Sequence, residues 1–176
     1  MCIRDRFATE FEGHPDNAAP AVYGGAVVSW ISGGIARARN IPLHPDLTTT
    51  LLVPTEILPT TQARAALPST VAHTDAAFNA SRAALLVYAL SQDPSLLMDA
   101  TEDRLHQDYR AGAMPATADV LVALREAGWP AVVSGAGPAI LVFDTLDEQT
   151  RKILASRGFE AIDAGIGEGV TIIDKD

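Results

Sequence analysis

The sequence holds a single cysteine in 176 residues, Cys2, which excludes an internal disulfide and any multi-cysteine zinc site. That scarcity suits a reducing compartment such as the cytoplasm. No apolar run approaches the ~20 residues a membrane helix needs. The opening "MCIRDR" is charged where a secretory signal is apolar. Basic residues are outnumbered, 13 Lys and Arg against 22 Asp and Glu, for a formal net charge of −9. A surface of that balance repels nucleic acid rather than binding it. It leaves room for a small anionic ligand, because a few local arginines can dominate one pocket; Arg64, Arg82, Arg104 and Arg110 are the ones to follow. No G-x-S-x-G elbow is present to hold a serine nucleophile.

What is present describes a globular chain, with 48% hydrophobic and 20% charged residues and enough length to bury a core. "AAPAVYGG" reads as a brief helix ended by Gly24 and Gly25. "AVVSWIS" (26–32) and "IARARN" (35–40) read as a hairpin across Gly33-Gly34, and "TTTLLVP" (48–54) as a buried strand. Helical segments follow. "TTQARAAL" is capped by Thr60 or Thr61, and residues 73–92 form the strongest helix, with Ala77, Phe78, Ser81, Leu85, Tyr88 and Ala89 as its packing face. Residues 95–112 read as further helix, and "PATADVLVALREAGW" as another, led by Pro115 and stopped by Gly128. The tail reads as strand, glycine turn, strand, then an amphipathic helix over "DEQTRKILASRG". "FEAIDAG" and "EGVTIIDKD" complete it as a strand pair. The resulting class is α+β, helices over a largely antiparallel sheet.

Three clusters could carry chemistry. In "SGAGP" (134–138), alternate glycines let backbone N–H groups approach an anion, or merely permit a tight hairpin. It is no dinucleotide fingerprint, because a strand follows it where a helix should begin. Arg64 follows Thr60 at i+4 on one helix face, and Arg110 sits near a helix end. A guanidinium grips carboxylate or phosphate with two bonds, although most arginines are solvated surface groups. In "EGHPDN" (12–17), Glu12, His14 and Asp16 alternate around Pro15, a spacing unlike that of zinc or calcium sites. Asp16 or Asn17 capping the following helix explains part of the cluster and leaves His14 and Glu12 over.

Together "FEGHPDNAAPAVYGGAVVSW", "LPTTQARAALP", "DRLHQDYRAGAMP" and "SGAGPAILVF" stand in the order and approximate spacing found in homoserine kinases, of the GHMP small-molecule kinase family. The resemblance spans residues 7–174, and "HTDAAFNASRAALL" resembles the actinobacterial branch. It implies transfer of the ATP γ-phosphoryl group to the side-chain hydroxyl of L-homoserine, a step of threonine biosynthesis, with ATP and Mg²⁺ as cofactors. It further implies that His14 and Asn17 line the substrate pocket, with Asp16 supporting their geometry. Thr60 and Arg64 line the same pocket, and Arg64 with Arg110 grips the homoserine carboxylate. Gly135, Ala136 and Gly137 correspond to the family's C-terminal glycine loop beside the phosphate site. No metal ligand or catalytic residue is assigned. Such a division of labour fits phosphoryl transfer, which depends on positioning and charge stabilisation.

One departure qualifies the resemblance. The family's Gly/Ser-rich loop, roughly P-x-x-x-G-L-G-S-S-A, at a helix N-terminus that receives ATP phosphates, has no counterpart in this sequence. The chain therefore resembles the C-terminal part of such a kinase, expected to lack activity alone. Residues 1–6 resemble a non-native leader translated from a sequencing adapter. Residues 7–47 correspond to the remnant of an N-terminal ribosomal-S5-like nucleotide-binding domain, and 48–176 to the ferredoxin-like C-terminal domain. A homodimer is common in that family. An amino-acid-binding regulatory module of ferredoxin-like fold, or a GHMP kinase for another acceptor, are the competing functions.

Overall fold

The computed structural model describes residues 15–171, which form two compact units: residues up to 44 together with those from 166 onward, and residues 45–165. Residues 1–6 with Cys2, and the candidates Glu12 and His14, lie outside the described residues.

In the first unit, helix α1 (Pro15–Tyr23) packs against an antiparallel hairpin of β1 (Ala26–Ser32) and β2 (Ile35–Ile41). Gly33 and Gly34, at φ +59° and +74°, supply the two left-handed positions that a two-residue hairpin turn matching strand twist requires. Small residues make the helix–hairpin contact, with Ala18, Ala19 and Ala38 buried. The helix starts three residues earlier than its alanines suggest. Pro15 fixes φ at a value suited to a first turn, so Asp16 and Asn17 sit inside the helix and neither is its cap.

The second unit begins with β3 (Thr50–Pro54), continues through helices, and ends as hairpin, helix and strand. Its helices are α2 (Thr60–Ala65), α3 (His73–Ser91), a 3₁₀ turn (Pro94–Leu96), α4 (Leu97–Ala100), α5 (Gln107–Arg110), a second 3₁₀ turn (Ala111–Ala113) and α6 (Pro115–Glu126). Strands β4 (Ala131–Val133) and β5 (Ile140–Val142), helix α7 (Glu148–Ser156) and β6 (Phe159–Asp163) complete it. The sheet order is β4-β5-β3-β6, every pair antiparallel. A β-α-β-β-α-β chain with its first strand between the third and fourth has the ferredoxin-like topology.

Period-2 alternation sends Leu52, Ala131, Ile140, Val142 and Phe159 to one sheet face, where Val120, Leu121 and Leu124 of α6 and Leu154 of α7 close the core. Asp147 caps α7 by accepting from the Thr150 N–H at 2.8 Å, which holds its carboxyl below the usual range. Gly158, at φ +83°, follows the helix where a left-handed residue ends it.

Four local expectations are corrected. Helix α2 is preceded by Pro59 in extended conformation, with no side-chain cap from Thr60 or Thr61. Helix α3 turns a different face inward: Ala77, Ser81 and Tyr88 are exposed, while Asp75, Phe78, Asn79, Arg82, Leu85, Ala89 and Leu90 are wholly or partly covered. Polar side chains occupy that face because it meets the polar segment before α5. Residues 95–112 are broken by the non-helical stretch 101–106. Finally, β6 pairs with β3, and Glu168 forms an isolated bridge with Gly24 in the first unit, so residues 168–171 form no strand beside β6; residues 172–176 lie outside the described residues.

Candidate functional site

The glycine turn Ser134–Ala139 joins β4 to β5 and is fixed from both ends. Ser134 N donates to Ala139 O at 2.8 Å and Gly137 N to Ser134 O at 3.0 Å. From α6, Thr117, buried, donates its Oγ1 hydrogen to Pro138 O at 2.8 Å. Gly135 and Gly137 both take left-handed φ, +60° and +84°, and the Gly137–Pro138 peptide is cis. Their surroundings differ. A Cβ on Gly135 would meet nothing within 4 Å, whereas one on Gly137 would lie 2.6 Å from Met114 Sδ and 3.0 Å from Val133 Cγ1. Gly135 therefore keeps an open outer side and Gly137 is the inner, packed residue. The N–H groups of Gly135 and Ala136 have no hydrogen-bond partner among the described residues.

Arg110, at the last position of α5, reaches this turn and donates Nη1 to Gly135 O at 2.9 Å. Its Nε is buried and without a hydrogen-bond partner among the described residues. Gln107, one turn earlier on α5, accepts from Val133 N at 2.8 Å, at the end of β4. The sequence singled out Arg110 and the glycines separately; the fold joins them, with Gln107 as an additional hold.

The short helix α5 is itself anchored by Asp103. Its carboxylate accepts from His106 N at 2.8 Å, Gln107 N at 2.6 Å and Leu105 N at 3.2 Å. Asn79 of α3 donates Nδ2 to the same group at 2.7 Å and accepts from Arg104 N at 2.8 Å, and His106 Nδ1 lies 3.1 Å from it. Burial alone would raise the Asp103 pKa. The hydrogen bonds from Gln107, Asn79 and His106 to the charged form outweigh burial and hold it down to about 2.

Other arginines are structural. Arg82 grips Glu102 through Nε and Nη2 at 2.9 and 2.7 Å, and its guanidinium and that of Arg104 lie 4.4 and 3.7 Å from the Phe78 ring centre. Arg104 also pairs with Asp75 at 3.7 Å. Arg125 donates to Thr101 Oγ1, Met98 O and Ala131 O; burial lowers its pKa, against the pull of Glu102 and Asp99. A cavity of about 290 Å³ lies against this cluster; Glu102, Asp103, Arg104 and Arg125 of its lining are paired within the protein, and Asp108 makes no side-chain hydrogen bond or ion pair among the described residues.

Of the remaining candidates, Thr60 and Arg64 are exposed on α2, and Arg64 makes no hydrogen bond or ion pair among the described residues. No hydrogen bond or ion pair joins either to Arg110 or the glycine turn. Asp16 and Asn17 lie exposed on α1 of the first unit. Among the described residues no group of three His, Cys, Asp or Glu side chains could hold a metal ion. No described helix is long and apolar enough to cross a membrane. Asp103, Asn79, Gln107 and Thr117 escaped the sequence reading. The available signal was "DRLHQ", an aspartate three and four residues ahead of the amides it accepts from, hidden by reading 95–112 as one helix.

Comparison with known proteins agrees with this fold. Residues 84–157 match the family described as GHMP kinases C terminal. The chain is 52% identical to a homoserine kinase of Mycolicibacterium vanbaalenii over 171 residues, 93% of this chain and 54% of that protein. It is 53% identical to one from Clavibacter michiganensis over 137 residues, 78% of this chain and 43% of that one. The crystal structure of a Cytophaga hutchinsonii homoserine kinase superposes with a TM-score of 0.78 at 26% identity, covering 89% of this chain and 53% of that one. The chain thus spans about half the length of the curated relatives it matches.

Proposed function

We propose that this chain, whose residues 84–157 carry the GHMP kinase C-terminal domain, forms the acceptor-binding part of a homoserine kinase, which transfers the ATP γ-phosphoryl group to the L-homoserine hydroxyl. The observation that carries the reading is the Arg110 guanidinium: Nη1 is pinned to Gly135 O beside the open glycine turn, while Nη2 makes no hydrogen bond among the described residues. A cation held in fixed orientation with a donor to spare suits an amino-acid carboxylate.

On this reading Arg110 binds the carboxylate, with Arg64 as the second, solvent-exposed cation. His14, Asp16, Asn17 and Thr60 are carried over as acceptor-binding residues by the sequence resemblance alone. Gly135 and Ala136, with free N–H groups and no side chain at Gly135, let the phosphoryl group approach closely. ATP supplies the transferred group. Mg²⁺ is carried over with ATP as part of the whole kinase; among the described residues no group of three His, Cys, Asp or Glu side chains is placed to hold it. The product is O-phospho-L-homoserine, and the setting is cytoplasmic threonine biosynthesis. The family's frequent homodimer is carried over with the same reading.

A chimera tests it: this chain replaces the matching half of the M. vanbaalenii homoserine kinase, and O-phosphohomoserine formation is followed with ATP. Turnover is expected. Arg110→Ala is expected to raise the KM for homoserine roughly 10- to 100-fold, the loss of a charged hydrogen bond, with little change in the KM for ATP. An unchanged homoserine KM would assign the site to another acceptor.

A further inference from the structure

We infer that Asp103 is a positioning residue of the glycine-turn site: it fixes α5 so that Gln107 and Arg110 hold the β4–β5 turn. The site's role as a carboxylate subsite rests on the reading above; the positioning does not.

Helix α5 is four residues long, far below the length at which a helix sustains itself. Its formal cap, His106, makes no side-chain capping bond. The amides at its start would therefore lack acceptors, and Asp103 supplies one: its Oδ2 accepts from both His106 N and Gln107 N, while Oδ1 takes the preceding Leu105 N. The same carboxylate is tied to α3 by Asn79, whose carbonyl oxygen also takes the Arg104 N–H. Asp103 thus connects a 19-residue helix to a four-residue one. Two of the four residues of α5 then reach the turn, Gln107 at the last residue of β4 and Arg110 at Gly135. Asp103 touches neither strand nor turn. It acts on them only through α5, so releasing it should loosen the turn while the core under α6 stays closed. The depressed pKa agrees with a carboxylate kept charged for this purpose.

Amide hydrogen exchange by NMR on the 176-residue chain tests the inference. The decisive amides are Val133, bonded to Gln107 Oε1, and Gly137, bonded to Ser134 O, neither of which Asp103 contacts. Ala127 and Phe143, bonded to Ala123 O and Pro130 O, serve as references. In Asp103→Ala, Val133 and Gly137 are expected to exchange about 10-fold faster, with the references within about twofold. Asp103→Asn, which keeps the shape and loses the charge, should fall between. Asn79→Ala, a milder lesion on the same carboxylate, should show the same pattern at smaller size and serves if Asp103→Ala does not fold. Equal acceleration at the references, or none at Val133 and Gly137, would overturn the inference. The homoserine KM of the chimera carrying Asp103→Asn separates the two ideas. Local exchange with an unchanged KM keeps the positioning and sinks the carboxylate subsite. A raised KM without local exchange sinks the positioning.

Discussion

Adding one methyl group at each of the two left-handed glycines of the β4–β5 turn should give unequal results. In both Gly135→Ala and Gly137→Ala the new residue must hold φ near the left-handed region, +60° and +84°, at about 1–2 kcal/mol for an L residue. At Gly135 nothing lies within 4 Å of the new Cβ, so that conformational cost is the whole effect. At Gly137 the Cβ would stand 2.6 Å from Met114 Sδ and 3.0 Å from Val133 Cγ1. Met114 is 3% exposed and cannot swing into solvent, so the turn or the core beneath it must shift. Overpacking of that kind adds about 1–3 kcal/mol. For a unit spanning residues 45–165, roughly 3–5 °C accompany each kcal/mol. Thermal melts followed by circular dichroism should therefore fall by roughly 5 °C for Gly135→Ala and by roughly twice that or more for Gly137→Ala. A double-mutant cycle sharpens the test, because in a Met114→Ala background the Gly137→Ala cost should drop toward that of Gly135→Ala, the Val133 Cγ1 contact alone remaining. Equal costs for the two glycines in the parent background, or no relief from Met114→Ala, would refute the packing argument.

Acid titration should reveal Asp103. Its folded pKa, about 2, lies below the ordinary 3.8, so its contribution is complete above pH ~4 and is lost as pH falls through about 2. The shift corresponds to about 2 kcal/mol, reduced somewhat by screening because the side chain is 14% exposed. Urea melts between pH 2 and 5 should show a shallower acid limb for Asp103→Asn. Arg125→Met keeps the apolar stem and removes three hydrogen bonds, to Thr101 Oγ1, Ala131 O and Met98 O. It should cost about 2–3 kcal/mol in urea denaturation, and an unchanged midpoint would mean that water satisfies those acceptors.

The hairpin, β3, the glycine-turned strand pair and the last helix were legible because each carries its own punctuation: Gly33-Gly34, Pro54, "SGAGP" and Gly158. The buried face of α3 was not, because alanine fits either side of a helix. The side is chosen by Asn79 and Arg82 meeting Asp103 and Glu102, 24 and 20 residues later. Residues 95–112 misled for a related reason. Helical propensity is high on both sides of 101–106, and the interruption exists because a carboxylate competes successfully for the amides. At the site, residue types pointed to Arg110 and the glycines one by one. Their union depends on a long-range pairing of α5 with β4 that no local pattern announces.

In the second unit the first and last strands, β3 and β6, run side by side. Beyond them Thr49 donates its hydroxyl to Ala164 O at 2.6 Å, and Ala164 N donates back to Thr49 O at 3.0 Å. The polypeptide thus enters and leaves through one doorway. A body built this way is a cassette: its two ends can be spliced by a short linker and fresh termini opened elsewhere, at the exposed stretch 69–72 for example, without unpicking a strand. It can equally be lifted out of one chain and set into another. The clasp between Thr49 and Ala164 thereby makes residues 45–165 portable as a piece.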